Sequence, residues 1–395
     1  VVIVGASAAG IATAEALARA NFGGEVVIVG DEAEIASDRP PLSKQVLVGD
    51  WTPEQASLLP PARMEALTAQ LRLGSRVVGL EMSGRKITLA DGELVDYDEL
   101  VIATGVRPRE LPGGHVDGVH VLRTMADALA LRADLTRAGA RLLVVGAGFL
   151  GLEVAATARK LGVDVVVVEP VPEPLASRLG KATAQRLLDL HRDHGVDIRT
   201  GVAVDRFDTD VTGRVSGATF SDGTSTECSV ALVAIGCVPN TDWLAGSGLE
   251  LADGIVCDAT CRAAEGVWAV GDVARWRHGG LGREIRIEHR LNATEQAIAV
   301  AANIVGPPAA YEPTPYFWTD QYDVKVQVSG VIDPGADEEI EEVLDGKGFV
   351  HTFRREGRLV AVLGWNAAKA MMPYRRELRM RSGDPAPAGS GAPTN

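Results

Sequence analysis

Val1-Val2-Ile3-Val4-Gly5-Ala6-Ser7-Ala8-Ala9-Gly10 and Leu142-Leu143-Val144-Val145-Gly146-Ala147-Gly148-Phe149-Leu150-Gly151 decide the fold of this chain. Each is a Val-rich run of strand character that stops at a glycine, turns, and enters an Ala-rich segment of helical character. Glycines at this spacing permit a tight turn, let backbone N–H groups approach a pyrophosphate, and seat the helix against its strand. The helix N-terminus adds the positive end of its dipole. Working outward, Val1–Val4, a helix over Ala8–Ala20 and Val26–Val29 make one β-α-β unit. Asp31 or Glu32 then stands roughly 20 residues past the last glycine, where an acid meets an adenosine ribose. Leu142–Val145, a helix over Phe149–Leu161 and Val163–Val168, ending at Glu169, repeat the arrangement. Two nucleotide cradles in one chain imply electron transfer between two cofactors.

The two cradles differ. The second has all three glycines, and Glu169 stands where a carboxylate binds both ribose hydroxyls of an adenosine. That carboxylate repels a 2′-phosphate, and no Arg or Lys follows before Arg178, so NADH is expected in preference to NADPH. The first carries Ser7 at the middle glycine position, which places a Cβ where the pyrophosphate passes.

The chain has 395 residues, 46% of them hydrophobic, and 44 glycines, which fits a Gly-rich α/β protein of two or three domains. A net charge of -14 argues against general nucleic-acid binding, which needs a basic face. Cys228, Cys237, Cys257 and Cys261 form no C-x-x-C pair, so neither a disulfide framework nor a redox dithiol is indicated and a reducing compartment fits. The most apolar stretch, Leu142 to Ala158, contains Glu153 and reads as strand, turn and helix rather than a membrane span. Val1 opens the first strand with no charged leader before it, so the expected location is cytoplasmic.

Further strand-like runs lie at Lys86–Leu89, Leu100–Ala103, Val230–Ile235, Gly254–Cys257 and Val267–Val270. Pro307-Pro308-Ala309-Ala310-Tyr311-Glu312-Pro313 reads as a linker. Beyond it Val324–Val328, Phe349–Phe353 and Leu359–Leu363 read as a short antiparallel meander, a third domain. The Pro, Gly, Ala and Ser stretch from Ser382 to Asn395 is expected to be a disordered tail.

Asp38-Arg39-Pro40-Pro41-Leu42-Ser43-Lys44, Ala103-Thr104-Gly105, Gly236-Cys237-Val238-Pro239-Asn240, Ala269-Val270-Gly271-Asp272, Arg286-Ile287-Glu288 and Asn292-Ala293-Thr294-Glu295-Gln296 occur in that order. Together with the fingerprints they resemble the FAD-dependent ferredoxin reductases of the putidaredoxin reductase, dioxygenase ferredoxin reductase and rubredoxin reductase type. The resemblance runs from Val1 to about Arg381. It implies an α/β, glutathione-reductase-like fold with two Rossmann-type domains and a C-terminal α+β interface domain. The implied boundaries are 1–108 with 238–308 for FAD, 109–237 for NAD and 309–381 for the interface domain.

Carried over residue by residue, the resemblance implies that Gly5, Ser7, Ala9 and Gly10 form the FAD pyrophosphate turn, with Asp31 or Glu32 as its ribose acid. Arg39, Val77, Ala103, Thr104, Gly105, Arg107, Gly271 and Glu288 border FAD, Asp272 holds its ribityl chain, and Arg290 touches the flavin ring. Lys44 and Glu153 are the implied catalytic pair beside the flavin, and a cation there stabilises a reduced, anionic ring. Gly146, Gly148, Phe149, Leu150, Gly151, Glu153, Glu169, Ile235 and Gly236 are the implied NAD contacts.

Some features carry two readings. His191 and His194 have H-x-x-H spacing but no third ligand nearby, and read as exposed helix residues; Cys257 and Cys261 read as a strand end and its turn, so no metal is expected. Phe317, Trp318 and Tyr322 either pack the interface-domain core or cover the flavin or partner face. Arg375, Arg376, Arg379 and Arg381 are either a solvated helix face or, in an acidic protein, a basic patch that steers an acidic ferredoxin. Related NADH oxidases and peroxidases need a redox cysteine near the proline loop, where this sequence has Leu42-Ser43-Lys44.

The expected path therefore runs from NADH at the second fingerprint to FAD at the first. From there single electrons pass to a two-iron ferredoxin, or a rubredoxin, serving a monooxygenase or a ring-hydroxylating dioxygenase. The alternatives are a reductase of a small radical of the monodehydroascorbate kind and an NADH-responsive regulatory flavoprotein resembling apoptosis-inducing factor.

Overall fold

A computed structural model describes residues 1–112, 116–343 and 347–382. The expected tail beyond Ser382 lies outside the described residues.

Short β-branched runs build the first sheet. Val2–Val4 pairs in parallel with Val27–Val29 on one side and Leu100–Ile102 on the other, and Gln70–Arg72 and Val267–Ala269 extend it outward. Its middle strands are buried on both faces, which is why they read as unbroken apolar runs rather than alternating ones. One face carries the helix Ala8–Arg19, packed along the helix Arg290–Val305. The second sheet is wholly parallel, in the order Asp197–Thr200, Asp164–Glu169, Arg141–Val145, Val230–Val233, Val119–His120. The helices Phe149–Lys160, Met125–Leu135 and Lys181–Asp193 cover it. A two-stranded ribbon, Val106–Pro108 with Cys237–Pro239, carries the chain out to the second sheet and back.

Both fingerprint turns are built alike. Gly5 and Gly146 adopt φ of 120° and 109°, a region that L side chains rarely enter. A Cβ on Gly10 would lie 1.8 Å from the Gly5 carbonyl oxygen, and one on Gly151 would lie 2.1 Å from that of Gly146. The close approach of helix to turn is thus the reason for the last glycine of each motif.

Residues after 313 form a five-stranded antiparallel sheet in the order Tyr316–Gln321, Val324–Gly330, Arg358–Trp365, Gly348–Arg355, Asp337–Val343, with the helix Met372–Ser382 against it. It departs from the expected three-strand meander by its two edge strands. Asp337–Val343 is acidic along most of its length, as exposed edges often are, and shows no apolar alternation. Tyr316–Gln321 hides Thr319 and Gln321 instead of aliphatic side chains.

The Pro307 to Pro313 segment joins the helix Arg290–Val305 to the C-terminal sheet without regular structure, as a linker does, yet it is packed: Tyr311 is buried, its carbonyl accepts from Trp276 Nε1 at 3.0 Å, and its hydroxyl donates to Asn292 Oδ1 at 3.1 Å. One further expectation is corrected. His191 is not exposed. It has no accessible surface because its helix face is covered by the edge strand Tyr316–Gln321, whereas His194 stays exposed and stacks on Tyr322 at 3.7 Å.

Candidate active site

The C-terminal ends of the first sheet's parallel strands open into a cleft of about 250 Å³. This is where a doubly wound sheet places its ligand. Ser7 and Ala9 of the first fingerprint line it, as do Arg39, Ala103, Thr104, Gly105, Asp272, Glu288 and Arg290. From the second fingerprint helix Leu150 and Glu153 reach the same space. The two cradles therefore converge on one cleft.

Ser7 precedes the helix Ala8–Arg19 without capping it, so the first backbone N–H groups face the cleft without a side-chain partner from that residue. Its Oγ lies 3.5 Å from Arg39 Nη2, and Arg39 also donates to the Arg123 carbonyl. Burial pushes the Arg39 guanidinium down to about 10, which leaves it charged at neutral pH. Arg123 donates to Asp272 Oδ2 at 3.1 Å, while its buried Nε has no protein partner. Arg290 is held between Asp38 Oδ1 at 2.5 Å and Thr294 Oγ1 at 2.7 Å. A helix terminus, two arginines and a buried donor without a partner at the edge of an apolar cleft fit an anionic dinucleotide. FAD is such a group.

At the inner end, Glu153 Oε2 accepts from Lys44 Nζ at 2.6 Å and from Ser43 Oγ at 2.6 Å. The pair is largely buried, with side-chain exposures of 17% and 10%. Thr157, one turn along the same helix, donates its hydroxyl to the Ser43 carbonyl at 2.7 Å and so ties the proline loop to the second fingerprint helix. Phe149 meets Phe317 of the C-terminal sheet at 5.1 Å between ring centroids, and His289 lies 5.0 Å from the same ring.

The second cradle is also uncapped at Gly148, above which a Cβ would meet nothing within 4 Å. Glu169 is folded against its own turn: Oε2 accepts the Ala147 N–H at 2.9 Å and Oε1 that of Val171 at 2.9 Å. Gly146 packs against the carbonyl of Ala234, next to Ile235 and Gly236, and the Gly236 carbonyl accepts from Arg109 N.

Several expected residues stand off the cleft. Val77 is buried in the core beneath the first sheet. Arg107 points along the ribbon to Asp242, 2.8 Å away, and to Asn240. Asp31 and Glu32 are exposed at the end of Val27–Val29, with Glu32 Oε1 3.8 Å from Arg39. Gly271 shapes the rim from below, where a Cβ would lie 2.9 Å from the Ala9 Cβ. Conversely, Arg123, Asp38, Ser43 and Thr319 border or support the site without having been assigned a role. Asp38 and Ser43 stand in the proline-loop motif Asp38 to Lys44, but no short motif marks Arg123 or Thr319.

All four cysteines are free. Burial pushes Cys228, Cys237 and Cys261 up to about 12, and Cys257 well above the usual thiol range. None of them lines the cleft. Among the described residues there is no cluster of three or more His, Cys, Asp or Glu able to hold a metal, and no helix long and apolar enough to cross a membrane.

Residues 1–297 match the family Pyridine nucleotide-disulphide oxidoreductase, and residues 316–389 match Reductase C-terminal. Rhodocoxin reductase of Rhodococcus erythropolis is 35% identical over 382 residues, 96% of this chain and 89% of that protein. Putidaredoxin reductase of Pseudomonas putida is 36% identical over 338 residues, 84% of this chain and 80% of that protein. The crystal structure of the covalent putidaredoxin reductase-putidaredoxin complex superposes with a TM-score of 0.91 at 34% identity, covering 96% of this chain and 93% of that one. With two convergent dinucleotide cradles, a Lys44–Glu153 pair between them and no thiol in the cleft, the chain belongs to the pyridine nucleotide-disulphide oxidoreductases, among the FAD-dependent ferredoxin reductases.

Proposed function

We propose that this chain takes electrons from NADH at the second cradle and delivers them singly to a two-iron ferredoxin through FAD held in the cleft. The observation that carries this reading is the convergence of Leu150 and Glu153 with Ser7, Ala9 and Arg290 on one cavity, so that a nicotinamide and a flavin can meet. When bound there, FAD supplies the conversion between two-electron and one-electron transfer.

The protein's part is binding and orientation. The turn Gly5 to Gly10, Arg39 and Arg123 face the pyrophosphate, Asp272 the ribityl hydroxyls, and Ala103 to Gly105 the flavin edge. Glu32 is the better placed ribose acid, since its carboxylate already lies 3.8 Å from Arg39. Gly146 to Gly151 face the pyrophosphate of NADH, Glu169, held at the turn by the Ala147 and Val171 N–H groups, takes its ribose, and Phe149 orders the nicotinamide side. Lys44 holds a positive charge at the inner end, and Glu153 fixes its ammonium there. In this reading residues 1–108 with 238–308 hold FAD, 109–237 hold NADH and 309–381 form the interface domain.

The acceptor is a ferredoxin because the solved relative carries putidaredoxin covalently attached, and because no cysteine lines the cleft to relay electrons internally. A rubredoxin is the other small iron–sulfur acceptor. Arg376 and Arg379, on the helix Met372–Ser382, are the docking charges. Arg375 has a second task, with its guanidinium stacked 4.6 Å over Tyr316. The Arg381 side chain lies outside the described residues. Four unpaired cysteines suit a cytoplasmic setting.

The test mixes FAD-loaded protein with NADH, cytochrome c and a two-iron ferredoxin. Reduction of cytochrome c should rise at least tenfold when the ferredoxin is added. No dependence on any iron–sulfur protein, with rapid reduction of a small organic radical instead, contradicts the proposal.

A further inference from the structure

Glu153 is gripped from both sides, and only one side belongs to the nucleotide-binding units. Oε2 is taken by Lys44 and Ser43. Oε1 is taken by Thr319, whose Oγ1 lies 2.7 Å away on the edge strand of the C-terminal sheet. Behind Thr319 the bonds continue: Gln321 Nε2 lies 3.1 Å from Thr319 Oγ1, His191 Nε2 lies 2.7 Å from Gln321 Oε1, and the Tyr322 hydroxyl lies 3.2 Å from His191 Nδ1. Thr319, Gln321 and His191 are 1%, 1% and 0% exposed, so water does not compete for these groups.

The direction of every link follows from the first. A carboxylate cannot donate, so Thr319 donates to it and must accept from the Gln321 amide. The Gln321 carbonyl then accepts from His191 Nε2–H, which leaves Nδ1 bare to accept from Tyr322. This requires a neutral imidazole, and burial pushes His191 down to about 4. All four donors therefore point toward Glu153, and such chains polarise one another cooperatively.

The clamp matters because the carboxylate has somewhere else to go. Behind it lies a second cavity of about 200 Å³, bordered by Lys44, Glu153, Lys160, Asp320 and Tyr322. Without the Thr319 bond, the Glu153 side chain can swing away from the cleft toward Lys160. We propose that Thr319 is a positioning residue that clamps the Glu153 carboxylate on Lys44 at the cofactor face, backed by Gln321, His191 and Tyr322. The C-terminal domain then helps to set the charge beside the flavin as well as presenting a docking surface. This rests on the reading of the cleft as an FAD and NADH site.

The experiment compares FAD-loaded wild type, Thr319→Val and Thr319→Ser. Two quantities are read: the midpoint potential of the bound flavin, by equilibration with a reference dye, and anaerobic reduction by NADH resolved into dissociation constant and limiting rate. In Thr319→Val the carboxylate is free to leave the cleft for the second cavity, Lys44 loses the partner that fixes its ammonium at the cofactor face, and reduction of the flavin is opposed. The reduced-to-oxidised ratio at fixed potential should fall about tenfold, equivalent to about 30 mV for a two-electron couple. The limiting rate should also fall about tenfold, with the NADH dissociation constant within about twofold. Thr319→Ser should return both quantities to within about twofold of wild type. Unchanged potential and rate in Thr319→Val, or a serine variant no better than the valine one, overturns the proposal. Should Thr319→Val fail to retain FAD, Gln321→Met is read in its place, with a smaller shift in the same direction expected and no shift overturning it. A wild type that takes up no FAD, or whose flavin NADH does not bleach, removes the underlying reading instead.

Discussion

Lys44 and Glu153 are 109 positions apart in the chain and 2.6 Å apart in the fold. Glu153→Gln keeps the shape but removes the charge that holds the ammonium. The limiting rate of NADH-dependent flavin reduction should fall about tenfold or more while NADH affinity changes little, as for an interaction that matters mainly in the transition state; stopped-flow absorbance measures both. The cysteines give a second residue-scale test. With Cys228, Cys237 and Cys261 held near 12, the folded protein at pH 8 has almost no thiolate, so alkylation followed by mass spectrometry should label them only after denaturation. His191 gives a third. Its pKa falls from 6.5 to about 4 on folding, so between these values the unfolded chain binds more protons than the native one. Stability is complete above about pH 6.5 and declines as pH falls toward 4, by about 3 kcal/mol for this group. His191→Gln should flatten that part of the melting temperature against pH. Lys44 and Glu153 were legible because each sits in or beside a motif with a chemical reason for its spacing. Thr319, Gln321 and His191 were not, because each acquires its meaning from a partner more than a hundred positions away.

Elements whose residues obey a local rule were readable to within a residue or two. The helix read over Phe149–Leu161 is Phe149–Lys160, and Lys86–Leu89 and Gly254–Cys257 are strands as read. The elements that were missed obey tertiary rules. Asp337–Val343 is a strand because Gly348–Arg355 offers it a ladder, and the Pro307 to Pro313 segment is packed because Trp276 and Asn292 take its polar groups. Gly151→Ala forces a Cβ to 2.1 Å from the Gly146 carbonyl and must push the helix off its turn, so NADH affinity should fall at least tenfold in fluorescence titration while FAD content is kept. Thr124 caps the helix Met125–Leu135 in a capping box with Asp127; Thr124→Ala should cost about 1 kcal/mol in chemical denaturation without altering either cofactor.

At the scale of the whole molecule, two largely parallel sheets meet at one cleft, and a third sheet backs it where Phe317 meets Phe149 and Thr319 meets Glu153. On the proposed reading, that arrangement lets a two-electron donor and a one-electron acceptor share a single flavin. The overall architecture was legible from two glycine motifs in the right order. The proposed docking surface rests in the sequence on a local excess of arginine, and of these residues Arg375 is stacked on Tyr316 in the fold. A net charge of -14 means that an acidic ferredoxin is repelled except where such a patch guides it. Arg376→Glu with Arg379→Glu should therefore slow ferredoxin reduction about tenfold at low salt and leave NADH oxidation by a small dye unchanged.

Electron transfer from NADH through FAD to an iron–sulfur protein is tested by reducing the FAD-loaded protein with one equivalent of NADH in the absence of oxygen and mixing it, in a stopped-flow instrument, with a panel of two-iron ferredoxins and rubredoxins. The flavin should reoxidise in step with iron–sulfur bleaching, at least tenfold faster with its best ferredoxin than with buffer, two ferredoxins being reduced per NADH. A long-lived reduced protein that no member of the panel reoxidises, with a change in oligomeric state on NADH addition, contradicts electron transfer and describes an NADH-responsive regulatory flavoprotein.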